Sequence, residues 1–85
     1  MVNLLISKTR NEELRERVLR FFLYPRKPRN MHELPEFAEF SLEEIRATRL
    51  SAKKMALILP IQGRTSGTEY RITSLGQAYL DALNR

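Results

Sequence analysis

A mainly helical fold with one small β-hairpin is predicted by three observations. Apolar residues recur at helical spacing near both ends of the chain, as Leu14, Val18, Phe21 and Phe22 and again as Leu75, Tyr79, Ala82 and Leu83. A Ser-x-x-Glu capping box opens a further helical stretch at Ser41. Between these, Tyr70 and Ile72 alternate with Glu69 and Arg71 behind a run of turn residues, which is the period of a strand. At 85 residues the chain is expected to form a single domain over 1–85, close to the smallest size that builds its own core.

The first helix is expected over about 11–24. Thr9 followed by Glu12 forms a start signal, with Asn11 as an alternative cap, and Pro25 sets the end. The arginines of this helix, Arg15, Arg17 and Arg20, are read as a solvated face. Pro25 to Asn30 resembles a linker, and Met31 to Phe40, acidic and aromatic with Pro35 inside it, is expected to be irregular or one short turn. Phe21, Phe22, Phe37 and Phe40 are core candidates.

From Ser41 two short helices with a tight break are expected. Leu42, Ile45 and the stem of Arg49 share one face of the first, and Ser51 offers a second cap after Leu50. The second helix is placed at 51–59 with Met55, Ile58 and Leu59 facing the core and Leu57 among the exposed candidates. Pro60 bends or ends it, and a kinked continuation through Gln62 to Gly63 stays open. A hairpin then occupies 63–73 with Thr65 to Thr68 as turn residues. A last helix, capped by Ser74, fills 74–84.

Charge patterning narrows the function. Apolar residues make up 42% of the chain and charged residues 29%, an ordinary globular balance. Fifteen Lys and Arg oppose ten Asp and Glu, a net +5 that favours polyanionic partners. The charge is unevenly spread: residues 1–29 carry eight basic and three acidic groups, 30–45 carry five acidic and no Lys or Arg, and 46–85 carry seven basic and two acidic. Such blocks suggest one basic and one acidic face, able to orient on a phosphate backbone. There is no Cys and one His, His32, so thiolate chemistry and thiol- or imidazole-based metal sites are excluded, and a reducing compartment is allowed. No cofactor, metal or enzymatic role is expected. The longest nearly apolar run, Met55 to Ile61, is far shorter than the roughly 20 residues of a membrane span. Met1 to Ser7 does not read as a signal peptide, and a cytoplasmic protein is expected.

The stretch Ser41-Leu42-Glu43-Glu44-Ile45, Leu50-Ser51, Met55 and Ile58-Leu59, followed by Gly63 and Tyr70-Arg71-Ile72-Thr73-Ser74-Leu75-Gly76, resembles winged helix-turn-helix transcription regulators of bacteria and archaea. The resemblance covers about 41–83, with the helix-turn-helix at 41–62, the wing at 63–73 and a C-terminal helix at 74–84. Arg49 stands where that family often has Gly, and Pro60 interrupts the second helix. The resemblance implies sequence-specific binding of double-stranded DNA, with the 51–59 helix in the major groove and the wing on an adjacent minor groove or phosphate. It places Ser51, Lys53 and Lys54 at bases and phosphates, Arg64, Thr65 and Thr68 at the wing, and Arg46, Arg49 and Arg71 beside phosphates.

A small transcription regulator acting as a homodimer is the expected role, with a plasmid or phage replication or partition factor as an alternative. A second alternative is a winged-helix protein-interaction module that docks a partner through the acidic segment 33–44. Glu33, Glu36 and Glu39 are otherwise read as solvated surface, and His32 as a surface or partly buried residue.

Overall fold

A computed structural model describes residues 9–61 and 68–84. Within them the chain is helical apart from a small antiparallel hairpin, in the order helix α1 (Arg10–Phe21), two 3-10 turns (Met31–Glu33 and Pro35–Phe37), helix α2 (Leu42–Lys54), strands β1 (Ile58–Ile61) and β2 (Glu69–Ile72), and helix α3 (Ser74–Leu83).

Helix α1 starts at a reciprocal capping box. The Thr9 hydroxyl accepts from the Glu12 amide at 3.1 Å, and the Glu12 carboxylate accepts from the Thr9 amide at 2.9 Å. It ends three residues before the expected limit because the chain is drawn into the sheet. The Phe22 carbonyl accepts the Ile72 amide at 2.8 Å, and Arg26 and Tyr70 exchange both backbone hydrogen bonds at 3.1 and 2.9 Å. Pro25 to Asn30 is therefore more than a linker, since Arg26 forms a bridge along the free side of β2. The two 3-10 turns then carry Met31, Phe37 and Phe40 into the core beside Leu14, Val18, Leu19, Phe21 and Phe22 of the α1 region. Phe21 packs edge-on against both Phe22 and Phe37.

The pair of short helices expected from Ser41 is one continuous helix. Its capping box forms as read, with Ser41 Oγ accepting from the Glu44 amide at 3.1 Å. No break follows Leu50. Neither Gly nor Pro lies between 42 and 54, and Ile45 and Ala52, two turns apart on one side, are both buried. Ser51 is accordingly not a cap; its hydroxyl lies 3.7 Å from the sulfur of Met55, the residue that follows the helix.

The helix expected over 51–59 ends at Lys54, and Ile58–Ile61 is a strand. A Schellman motif makes the stop: the Leu57 amide donates to the Ala52 carbonyl and the Ala56 amide to Lys53, with Ala56 left-handed at φ 62°. Two forces favour this over a longer helix. Leu59 precedes Pro60 and is biased toward extended backbone, and the turn buries Leu57 (2% exposed) and Ile58 while leaving Met55 (44%) and Leu59 (48%) outside. The expected core face of Met55, Ile58 and Leu59 is thus replaced by Leu57 and Ile58. Pro60 sits in a short ladder, opposite Tyr70, with Ile58 opposite Ile72 and Leu59 opposite Arg71.

The hairpin's first strand therefore begins before residue 63, and Gly63, Arg64, Thr65, Ser66 and Gly67 lie outside the described residues. Helix α3 is capped by Thr73, one residue earlier than expected. Thr73 Oγ1 accepts from the Gly76 amide at 2.9 Å and donates to the Ala56 carbonyl at 2.7 Å, which ties the Schellman turn to the helix start. Its buried side is formed by Gly76 and Leu80, with Tyr79 partly covered, while Leu75 (57% exposed) and Ala82 face outward. Gly76 determines this rotation, because a Cβ there would collide with the Leu57 carbonyl and the Ile72 side chain.

Candidate nucleic-acid interface

The basic residues divide into two sets by their partners. On the α1 side Arg10, Arg17 and Arg20 are paired with carboxylates. Arg10 makes a two-pronged contact with Glu44 at 2.9 and 3.0 Å and donates to the Glu39 carbonyl at 2.7 Å. Arg17 pairs with Glu39 at 2.9 Å and donates to the Glu36 carbonyl, and Arg20 pairs with Glu16 at 3.0 Å. Arg10 and Arg17 also lie over the Phe40 ring. Arg15 donates to the Tyr79 hydroxyl at 2.8 Å. Instead of a uniformly solvated face, Arg10 and Arg17 hold the acidic segment and Arg15 holds Tyr79 of α3, while Arg20 stays exposed beside Glu16 of its own helix. The Arg10 guanidinium and the Ser41 amide hold the Glu44 carboxyl down to about 2, well below its ordinary value, and the Arg10 pKa is raised in turn.

On the α2 side the pattern reverses. Among the described residues, no carboxylate pairs with Arg29, Arg46, Arg49, Lys53, Lys54 or Arg71. Arg46, Arg49 and Lys53 fall at i, i+3 and i+7 of α2 and so form one stripe along it, flanking the buried Ile45 and Ala52. Arg49 is half-buried and borders two surface grooves. One, of about 220 Å³, is lined by Pro28, Asn30, Met31, His32, Leu42, Ile45, Arg46 and Arg49. The other, of about 360 Å³, is lined by Lys27, Pro28, Arg29, Arg49, Thr68 and Tyr70. Lys53 extends the tract, with its ammonium 5.7 Å from the centre of the Tyr70 ring. Tyr70 is held from behind by Phe22, edge-on at 5.9 Å, and by its ladder to Arg26.

Of the candidate residues read from the sequence, Arg46, Arg49, Lys53 and Thr68 therefore lie on or beside this tract. Lys54 lies next to it, bordering an open groove with Ala47, Leu50, Ser51 and Lys53. Ser51 is half-buried near the end of α2 and not at the start of a reading helix. Arg71 is exposed on β2, but neighbouring residues of a strand point to opposite faces, so it is turned away from the side on which Tyr70 meets Lys53. Arg64 and Thr65 lie outside the described residues.

Sequence reasoning missed Lys27, Arg29, Asn30 and Tyr70. The signal lies in Pro25-Arg26-Lys27-Pro28-Arg29-Asn30, where three cations stand in a segment that resembles a linker. His32 is exposed beside Glu33, at 3.9 Å. Among the described residues, no three His, Cys, Asp or Glu side chains converge as a metal site, and no helix is long and apolar enough to cross a membrane.

No protein-family model, no curated protein and no solved structure matches this chain. The physical chemistry of the tract must carry its interpretation. Among the described residues, Arg46, Arg49 and Lys53 form a stripe with no carboxylate paired to it, bordered by Asn30, Thr68 and Tyr70 as hydrogen-bonding groups. A row of cations of this kind favours anionic ligands by Coulomb attraction.

Proposed function

We propose that this chain is a sequence-specific double-stranded DNA-binding protein of the winged-helix type, a small transcription regulator, with α2 as the helix that enters the major groove. The observation that carries the reading is the charge partition. Arg10, Arg17 and Arg20 of α1 are matched with carboxylates, whereas among the described residues Arg46, Arg49 and Lys53 line one side of α2 with none. The order of elements agrees with it: α1, the bridge at Arg26, the turns at 31–37, α2, the β1–β2 hairpin and α3 follow the order of a winged helix-turn-helix domain. In this reading Met31–Phe37 takes the place of the helix preceding the reader, and the hairpin acts as the wing.

The reader thereby moves from 51–59 to 42–54. Its outward side carries Leu42, Glu43, Arg46, Ala47, Leu50, Lys53 and Lys54, a mixture suited to base edges and phosphates alike. Two copies on two half-sites would multiply the modest affinity of one such module, so a homodimer is part of the proposal. No catalytic chemistry is assigned, and the protein would act in the cytoplasm. The alternative of a protein-interaction module docking through 33–44 has less support, because Glu39 and Glu44 are already engaged by Arg17 and Arg10.

Fluorescence anisotropy of a labelled duplex over a salt series tests the reading. Four phosphate contacts would lower affinity about a hundredfold between 50 and 200 mM salt. An Arg46→Ala/Lys53→Ala double variant loses most of the affinity, whereas the charge-matched Arg17→Ala/Arg20→Ala variant retains it. Equal losses in the two folded variants would reduce the effect to net charge and remove α2 from the interface.

A further inference from the structure

The two grooves beside α2 meet at Arg49 and Pro28, and Arg49 is the one charged residue common to both linings. On one side stand Arg46, Asn30 and His32, and on the other Lys27, Arg29, Thr68 and Tyr70. No carboxylate is among the described residues lining either groove, so an anion in either meets no like charge at contact distance. Each groove also offers neutral hydrogen-bonding side chains next to its cations, Asn30 in the first and Thr68 and Tyr70 in the second. Arg49 is half-buried, which restricts its side chain, and it has no ion-pair partner in the described residues. A guanidinium is suited to this position because its five N–H donors lie in a rigid planar fork and can serve two acceptors on different sides.

Resting on the DNA-binding reading above, we infer that the two grooves hold two phosphates of one DNA strand, with Arg49 bridging between them. The loop Lys27–Asn30 is then part of the DNA interface, and the strand's backbone runs across the junction of that loop with α2. The left-handed backbone of Asn30, φ 62°, lies where this loop turns into the first 3-10 turn and borders the first groove.

A shared bridging residue makes a prediction that an ordinary basic patch does not. Arg49 must be energetically coupled to the cations on both sides, while those cations remain independent of each other. The test is a set of double-variant cycles on duplex affinity at fixed salt, using Arg29→Ala, Arg46→Ala and Arg49→Ala, with thermal melting to verify folding. The cycles Arg46 with Arg49 and Arg29 with Arg49 are each expected to depart from additivity by about fivefold or more in Kd, and Arg29 with Arg46 to multiply within about twofold. An Arg49→Lys variant keeps the charge yet loses at least about fivefold, because an ammonium lacks the fork, whereas Arg46→Lys binds nearly as wild type.

Additive behaviour of Arg49 with both neighbours, in a wild type that binds duplex, overturns the bridge and leaves the DNA-binding reading standing. Failure of the wild type to bind duplex even at low salt overturns both. Inorganic pyrophosphate provides the last arm. It should compete only at concentrations far above the protein's; displacement of duplex at near-stoichiometric pyrophosphate would make the grooves a small-anion site and overturn the proposal.

Discussion

Arg10 and Glu44, 34 residues apart, clasp the first turns of α1 and α2 together. Arg10 Nε lies 2.9 Å from Glu44 Oε2 and Arg10 Nη2 lies 3.0 Å from Oε1. The same Oε1 accepts the Ser41 amide at 2.9 Å, so one carboxylate both caps its own helix and holds the other. Glu44, like Glu39 with Arg17, thereby finds its counterion inside the molecule. The excess positive charge is left to the α2 side.

This contact makes stability acid-sensitive. Glu44 is held near 2, below its ordinary 4.5, so the folded state binds its proton more weakly than the unfolded state. The stabilisation is complete above about pH 4.5 and is lost as pH falls toward about 2. Thermal melting across this window should show the melting temperature falling with pH. A Glu44→Gln variant should melt lower than wild type at neutral pH and respond less to acid; an equally steep profile in the variant would assign the acid response to other carboxylates.

Gly76 permits a close approach of α3 to the turn at Leu57. A Cβ at this position would run into the Leu57 carbonyl, which is backbone and already accepts the Thr73 amide at 3.0 Å. Gly76→Ala is therefore expected to destabilise by about 1–3 kcal/mol despite alanine's better helix propensity. Urea denaturation would detect this, and an unchanged midpoint would contradict the packing described.

Ala56 occupies the position after α2 that glycine usually fills. Its φ of 62° costs an L-residue roughly 1 kcal/mol, which glycine avoids. Ala56→Gly should raise stability by up to about 1 kcal/mol, the greater freedom of glycine in the unfolded chain offsetting part of the gain. A drop in melting temperature would show that the Ala56 methyl makes a compensating contact.

Thr73 joins two elements through one hydroxyl, accepting from Gly76 and donating to Ala56. Thr73→Val keeps the shape and removes both bonds, at an expected cost of about 1–2 kcal/mol. Thr73→Ser keeps the hydroxyl and should recover most of it. Similar losses in both variants would point to the methyl group as the important part of the side chain.

Local chemistry sufficed to read some elements. Thr9 with Glu12 and Ser41 with Glu44 form capping boxes between residues three apart, so their interactions need nothing beyond their own turns. The stripe of Leu14, Val18, Phe21 and Phe22 follows from helical periodicity, and the alternation at 69–72 from that of a strand. Arg46, Arg49 and Lys53 belong to a basic stretch by sequence alone, but their common stripe depends on the unbroken α2, because the expected break after Leu50 separates Lys53 from the other two.

Tertiary structure decided what local signals left balanced. Residues 55–61 are apolar throughout, and such a run fits a helix or a strand equally well until a partner exists. Pairing of Ile58 with Ile72, burial of Leu57 and the bond from Thr73 to Ala56 selected the strand, and with it a single helix from Leu42 to Lys54. The destination of the charges was also nonlocal. Sequence order shows a basic, an acidic and a basic block, but only folding brings Arg10 and Arg17 to Glu44 and Glu39, and leaves Arg49 between two grooves without a carboxylate. Coulomb attraction acts through space and not along the chain, so the basic face could be counted in the sequence but located only in the fold.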